Sequence, residues 1–347
     1  MIETDALVIG AGPVGLFAVF ELGLQGVCAH VVDVLDEPGG QCIELYPDKP
    51  IYDIPGVPRC TGRELTCNLL KQVEPFAPVF HLGQQVESLE HQPDGRWLLS
   101  TRNTQQTSQQ FLARSVIIAA GVGAFVPKEL KAEGLTPFLG KQLFYRVRPP
   151  EAFAGQHILI VGGDADAVHA AVTLARPGDN QARSVTLVHR RDSLQADAAE
   201  LSELSALRAS GQISFEAGQV SAALSRDQRL TGVIIDTPDA QQLVIEIDVL
   251  LVCQGISPKM GPIAQWGLTM QRKQLTVDTA TFATSMPGVF AIGDVVDYPG
   301  KKKLIVSGFH EATLAAFAVA ELLRPDAPHT LQYTTSSALL QQRLGVL

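Results

Sequence analysis

An apolar run closing on a glycine turn at Gly10, a second such arrangement near His157, and a late apolar strand ending in Gly293-Asp294 together predict the fold class. That class is α/β, with two dinucleotide-binding units of the Rossmann-like, three-layer ββα kind, the second inserted in the first. The predicted boundaries are 1–122 with 257–347 for the outer domain and 123–256 for the inner one. A chain of 347 residues is long enough for two such cores.

The first unit starts with Ala6-Leu7-Val8-Ile9, a run with the character of a buried parallel strand. Gly10-Ala11-Gly12-Pro13-Val14-Gly15 follows at once, then a helix from Leu16 to Gly23, then a strand His30-Val31-Val32 ending on Asp33. Three glycines alone are weak evidence, but strand, turn, helix and acid-ended strand here keep the spacing of a dinucleotide fingerprint. Gly10 allows the tight turn, Gly12 keeps side chains away from a pyrophosphate, and Gly15 lets helix and strand pack closely. Pro13 lies within this turn, and the N-terminus of the helix that follows supplies free N–H groups and partial positive charge for the phosphates. Asp33 is placed to accept the hydroxyls of an adenosine ribose.

After Pro38-Gly39-Gly40-Gln41 comes a Pro-rich, aromatic loop from Tyr46 to Gly56, of a kind more often functional than accidental. Thr61 to Phe76 predicts an amphipathic helix capped by Thr61. Three short strands, around Val86–Leu89, Arg96–Thr101 and Gln110–Arg114, predict a small antiparallel sheet. Ser115 to Gly121 predicts a further, separate buried strand.

The second unit opens with the strand His157–Val161, the turn Gly162-Gly163-Asp164-Ala165-Asp166-Ala167 and a helix Val168–Arg176. The next strand, Ser184–Val188, ends in His189-Arg190-Arg191. Arginines at that place accommodate a 2′-phosphate, so the second nucleotide is expected to be NADP rather than NAD. Strands follow near Ile213–Glu216, Leu230–Asp236 and Val249–Cys253. The apolar stretch Val289–Ile292 closes on Gly293-Asp294, and a helix is predicted from Glu311 to Leu323.

Composition narrows the class. With 46% hydrophobic and 18% charged residues the chain is a folded one. A net charge of −9 argues against nucleic acid as a partner. Apolar runs stop short of a membrane span, and the chain enters a strand within its first residues, so neither span nor signal segment is expected. Five cysteines without a C-x-x-C pair fit a reduced, cytoplasmic setting.

Six motifs carry a resemblance that covers most of the chain in order: Gly10–Phe17, Pro38–Gln41, Tyr46–Gly56, Ala119–Pro127, Ala291–Asp294 and Tyr298–Phe309. In them the sequence resembles the thioredoxin-reductase-like ferredoxin (flavodoxin)–NADP reductases. The resemblance implies FAD in the first unit and NADPH in the second. It gives Asp33 the adenosine ribose, Gln41 the ribityl or pyrophosphate region, and Asp294 the ribityl chain. It sets Tyr46 on one flavin face, Val86 beside the adenine and Phe125 near the flavin. Tyr333 would cover the other face, with Thr335 at the ring system; both tyrosines could equally be ordinary, partly buried side chains. Gly162, Gly163, Asp164, Arg190 and Arg191 would form the NADPH site. A homodimer is also implied.

Thioredoxin reductases carry a C-x-x-C in the inner domain; the corresponding Phe144–Arg148 has none, and Cys42 has no second cysteine in reach. Electrons are therefore expected to leave the flavin directly, one at a time, to an acidic ferredoxin or flavodoxin. No side chain is required as catalytic acid, base or nucleophile. Lys301-Lys302-Lys303, with Arg146 and Arg148, are candidates for the docking surface, or simply a solvated face.

Two departures from the family pattern stand in the second unit. Asp164 replaces a third consecutive glycine, and Gln195 replaces a third basic residue. A carboxylate at that turn either repels the pyrophosphate or serves as a helix N-cap. These departures motivate a second reading, a flavoprotein with a degenerate nicotinamide site acting as a binding or regulatory module.

Overall fold

The computed structural model describes residues 1–103, 106–145, 150–327 and 330–347, and only the backbone of 124–127 and 256–259. The chain divides into two compact units, Met1–Ala124 with Pro258–Leu347, and Phe125–Ser257.

The first unit is built on a seven-stranded sheet. Its spatial order is Val79–His81, Ala29–Val32, Ile2–Ile9, Ser108–Ile118, Trp97–Asn103 and Gln84–His91, with Val289–Ala291 also on Ser108–Ile118. The first strands pair in parallel and the last three are an antiparallel meander. The sequence predicts two strands between Gln110 and Gly121, and here the structure differs: Ser108–Ile118 is one strand of eleven residues. Its beginning pairs antiparallel with Trp97–Arg102, and its end pairs in parallel with Val289–Ala291. The exposed, polar start of this strand hides its continuity, because only its second half carries an unbroken apolar pattern.

Helices Pro13–Leu24 and Ile305–Leu323 pack on one face of this sheet, around Ala18, Val19, Leu22, Ala312, Ala315, Ala316 and Val319. The second helix begins at Ile305, six residues earlier than predicted, and Glu311 lies inside it. By length and composition it could cross a membrane, yet its alanine face is core. Gly62–Val73 is the predicted amphipathic helix; Thr61 Oγ1 accepts from Glu64 N–H at 3.1 Å and Glu64 Oε2 accepts from Thr61 N–H at 2.8 Å. This reciprocal box satisfies two donors that the helix start leaves open.

The second unit has a five-stranded parallel sheet in the order Leu143–Phe144, Val249–Val252, His157–Val161, Ser184–His189, Ile213–Ala217. Helices Ala165–Ala175 and Ala198–Ala209 cover one face through Ala167, Val168, Ala171, Leu174, Leu204 and Leu207. On the other face lies a three-stranded meander, Gln219–Arg226, Arg229–Asp236 and Gln242–Glu246, packed through Val220, Val233 and Ile235. Each unit thus has helix, parallel sheet and meander as its layers.

Candidate functional site

The two glycine turns share their strand-end contacts within their separate units. Gly10 N–H donates to Val32 O at 2.8 Å, and Gly162 N–H donates to Val188 O at 3.0 Å. A Cβ on Gly10 would lie 2.4 Å from Ala119 O, and one on Gly162 would lie 2.0 Å from Cys253 O. In both, the turn crosses the end of the neighbouring parallel strand so closely that only glycine fits. A Cβ on Gly15 would strike Gly10 O at 2.0 Å, which locks helix Pro13–Leu24 onto its turn.

What surrounds the turns differs. The helix after the first has Gly12 as its N-cap, no side-chain cap and no acid in its first turn, so its leading N–H groups remain available. A Cβ on Gly12 would meet only Gly40 Cα, at 3.9 Å, which leaves open room for a pyrophosphate. Asp33 is 9% exposed, and its carboxylate accepts from Ala11 N–H at 2.5 Å and Leu35 N–H at 2.9 Å. Burial pushes this carboxyl up, against the backbone donors that pull it down. Its remaining lone pairs are the ones a ribose could use. Gly83 N–H and Gln84 N–H donate to Leu35 O and Asp33 O, both at 2.8 Å, and tie the strand carrying buried Val86 to the Asp33 loop.

The Gly39-Gly40 turn meets the first one: Gly39 N–H donates to Ala11 O at 2.9 Å. It delivers the short helix Gln41–Glu44, and Gln41 Nε2 donates to Asp294 Oδ2 at 3.3 Å, across 253 positions of sequence. Tyr46 is half-buried, with the Cys42 thiol 3.7 Å from its hydroxyl. Burial pushes both groups' pKa up, so Cys42 stays a thiol at neutral pH. All five cysteines are free. Asp33, Gln41, Tyr46, Val86 and Asp294 therefore gather around one end of the first sheet. Tyr333 is 65% exposed and Thr335 is exposed, and neither makes a side-chain hydrogen bond or ring contact among the described residues. The Phe125 side chain, Arg146 and Arg148 lie outside the described residues.

At the second turn, Asp164 has extended backbone and caps helix Ala165–Ala175, Oδ1 accepting from Ala167 N–H at 3.3 Å. Its other oxygen faces Gly255: a Cβ placed there would lie 3.6 Å from Asp164 Oδ2 and 4.0 Å from Lys128 Nζ. The register identifies His189, which follows Val188, as the counterpart of Asp33, which follows Val32; the arginines come one and two places later. The His189 ring packs on Gly163, where a Cβ would lie 2.7 Å from it, and Nδ1–H donates to Arg191 O at 2.9 Å. Gln195 N–H donates to Gly163 O at 2.8 Å, so the loop after the arginines folds back over the turn. Arg190 and Arg191 are exposed, and among the described residues neither guanidinium has an acidic partner. Arg176 and Arg208 in the same unit are each paired, with Glu203 and Asp192. Two uncompensated cations beside a glycine turn suit a doubly charged phosphate.

The site also holds a residue that sequence reasoning missed. Glu311 is fully buried and accepts from Gly293 N–H at 2.6 Å, from Tyr298 O–H at 2.7 Å and from Lys301 Nζ. Lys301, expected on the docking surface, is 4% exposed and ion-paired here, so it is no docking cation. Its burial follows from the Tyr298-Pro299-Gly300 turn, which sends residue 301 inward and leaves Lys302 and Lys303 exposed.

Residues 4–318 match the pyridine nucleotide-disulphide oxidoreductase family. A ferredoxin–NADP reductase of Albidiferax ferrireducens is 54% identical over 345 residues, covering 99% of this chain and 96% of that protein. One from a Polaromonas species is 53% identical, with coverage of 99% and 93%. Among solved structures, T. acidophilum thioredoxin reductase superposes with a TM-score of 0.62 at 22% identity, covering 92% of this chain and 99% of that one. At that identity the likeness is one of fold.

Proposed function

The chain belongs to the pyridine nucleotide-disulphide oxidoreductase family and, within it, groups with ferredoxin–NADP reductases; from this premise we propose that it is an FAD-dependent reductase moving electrons between NADPH and a ferredoxin or flavodoxin. Met1–Ala124 with Pro258–Leu347 is the FAD-binding domain and Phe125–Ser257 the NADPH-binding domain. The observation that carries the reading is the divergence of two like turns: one open, uncapped and acid-ended, the other followed by two exposed arginines that have no acidic partner among the described residues.

Bound FAD supplies the conversion of a two-electron nicotinamide donor into one-electron deliveries. The protein's own residues bind and orient. Gly10, Gly12, Pro13 and Gly15 present the N–H groups of helix Pro13–Leu24 to the pyrophosphate. Asp33 braces that turn through Ala11 N–H and offers its free lone pairs to the ribose. Gln41 and Asp294, already hydrogen-bonded to each other, hold the ribityl region, Tyr46 lies on one flavin face, and Val86 borders the adenine. Tyr333 and Thr335 complete the flavin's surroundings. Gly162, Gly163 and Asp164 form the turn for NADPH, and Arg190 and Arg191 receive its 2′-phosphate. No dithiol stands between flavin and carrier, since every cysteine is free and Cys42, beside Tyr46, is held as a thiol.

Lys302 and Lys303 remain exposed as contacts for an acidic carrier. The free cysteines support a reduced, cytoplasmic setting. The exposed apolar C-terminal residues Leu331, Tyr333, Leu339, Val346 and Leu347 support a homodimer that covers them. Anaerobic addition of NADPH, followed by an oxidised ferredoxin, tests the function. The yellow absorbance should bleach and then return as the carrier is reduced; a flavin that stays oxidised would sink the reading.

A further inference from the structure

Glu311 is a carboxylate with no exposure to water, and it links three segments: its own helix Ile305–Leu323, the Gly293–Val295 turn and the Tyr298–Lys301 turn. Burying a carboxylate and an ammonium together removes both from water, and an apolar pair of equal volume usually serves stability as well or better. The pair therefore calls for a reason other than stability, and its neighbours supply one. Gly293, at φ 82°, is held by its N–H on Glu311 Oε2. The next residue, Asp294, is held by its carbonyl, which accepts from Gln274 Nε2 at 2.9 Å. In the turn held at both ends, the Asp294 carboxylate accepts from Gln41 Nε2 at 3.3 Å. Val14, in the first turn of the pyrophosphate helix, packs against the same assembly: a Cβ on Gly293 or Gly308 would lie 3.5 or 2.3 Å from its methyl carbons. The clamp thus fixes Asp294 relative to the glycine turn as well.

We propose that Glu311 is a positioning residue for the flavin, with Lys301 and Tyr298 holding its carboxylate so that Gly293 N–H is pinned and Asp294 is presented beside Gln41. The charge of Lys301 neutralises Glu311, so the buried cluster carries no net charge. The inference rests on the FAD reading above. It assigns Lys301 an internal task in place of carrier docking, and it explains why a glutamate lies fully buried in the second turn of this helix.

The test uses charge-neutral pairs in the full-length protein, read out by unfolding midpoint, by the FAD dissociation constant of reconstituted apoprotein, and by visible circular dichroism of the bound flavin. Lys301→Met with Glu311→Leu leaves no lone charge buried, but Gly293 N–H and Tyr298 O–H lose their acceptor, so the midpoint should fall only modestly and the protein should stay folded. Its FAD affinity should fall about tenfold, as expected when one buried hydrogen bond to a charged group loses its acceptor, and the flavin dichroism should change. Lys301→Met with Glu311→Gln restores an acceptor for Gly293 N–H and should recover most of the affinity. Unchanged FAD affinity and dichroism in the Leu/Met pair would overturn the proposal. Should that pair fail to fold, Glu311→Asp keeps the charge but draws the acceptor back by one methylene; there too, undiminished affinity would refute it. A parent protein that binds no FAD at all would instead refute the function proposed above, so the two failures are distinguishable.

Discussion

Replacing Asp164 by glycine should tighten NADP binding, and the structure gives both opposing contributions. The side chain caps helix Ala165–Ala175 through a single 3.3 Å bond from Ala167 N–H, at the long end of such bonds. Exchanging an N-cap for glycine costs only a few tenths of a kcal/mol. On the other side stands repulsion: two like charges about 5 Å apart repel by about 3 kcal/mol at an effective dielectric near 20. Lys128 Nζ faces the same spot as Asp164 Oδ2, so cation and solvent together remove about half of that, leaving about 1.4 kcal/mol, or about tenfold in affinity. The assay is calorimetric titration of the oxidised holoprotein with NADP⁺ at low and high ionic strength. Tightening that shrinks as salt rises supports charge repulsion, since screening removes it. Unchanged or weaker binding in the glycine variant would show that the carboxylate is turned from the nucleotide or fully compensated by Lys128.

Three further outcomes are expected. Neutralising both Arg190 and Arg191 should abolish the preference for NADPH over NADH, each charge-assisted contact being worth about 1.5–3 kcal/mol; steady-state kinetics with both nucleotides checks this, and an equal loss with both would point to a folding defect. Asp294→Ala should purify flavin-poor, having lost the partner of Gln41 Nε2, and a full flavin-to-protein absorbance ratio would refute the ribityl assignment. The stacked pair His30 and His81, with ring nitrogens 3.0 Å apart, should make stability fall on acidification. Burial lowers both pKa values from the ordinary 6.5, so the unfolded chain takes up these protons first and stability, complete above that value, is lost as pH falls through it. His81→Phe should flatten the dependence of the unfolding midpoint on pH; an unaltered slope would exclude the pair as its source.

Much of the fold was legible because each central strand is a short run buried on both faces and closed by a glycine that cannot be replaced. Ala6–Ile9 before Gly10 and His157–Val161 before Gly162 are of this type. Less was legible where pattern and pairing part company. Ser108–Ile118 begins polar and exposed and ends fully buried, so periodicity divides what hydrogen bonding joins. Helix Ala198–Ala209 buries only Leu204 and Leu207 in its length, too few to mark an apolar face. In the site, Asp33, Gln41 and Asp294 stood out because each follows a glycine turn or an apolar strand. Glu311 and Lys301 did not: one lies within a helix whose start was set too late, the other in a basic run that resembles a solvated face. A lone glutamate in an apolar helical window, with a lysine shortly before it, was the available signal, since an ionised group is expected there only if it is paired.

The duplication also explains how one architecture sorts two nucleotides. Matching backbone bonds tie both turns to the ends of their parallel strands. Selection falls to the residue after the second strand of each unit. In the first it is Asp33, whose carboxylate folds back on Ala11 N–H and leaves acceptors for ribose hydroxyls, and whose negative charge would disfavour a 2′-phosphate. In the second it is His189, whose ring seals Gly163 and whose Nδ1–H is committed to Arg191 O. That bond holds the backbone of Arg191 next to the turn while both guanidinium groups are exposed and, among the described residues, without an acidic partner. Exchanging an acceptor for a backbone tether, followed by two free cations, reverses the preferred charge without moving the turn. On the proposed function Asp164 acts at the pyrophosphate and the arginines at the 2′ position, so overall affinity and discrimination are set by different side chains and can be altered separately.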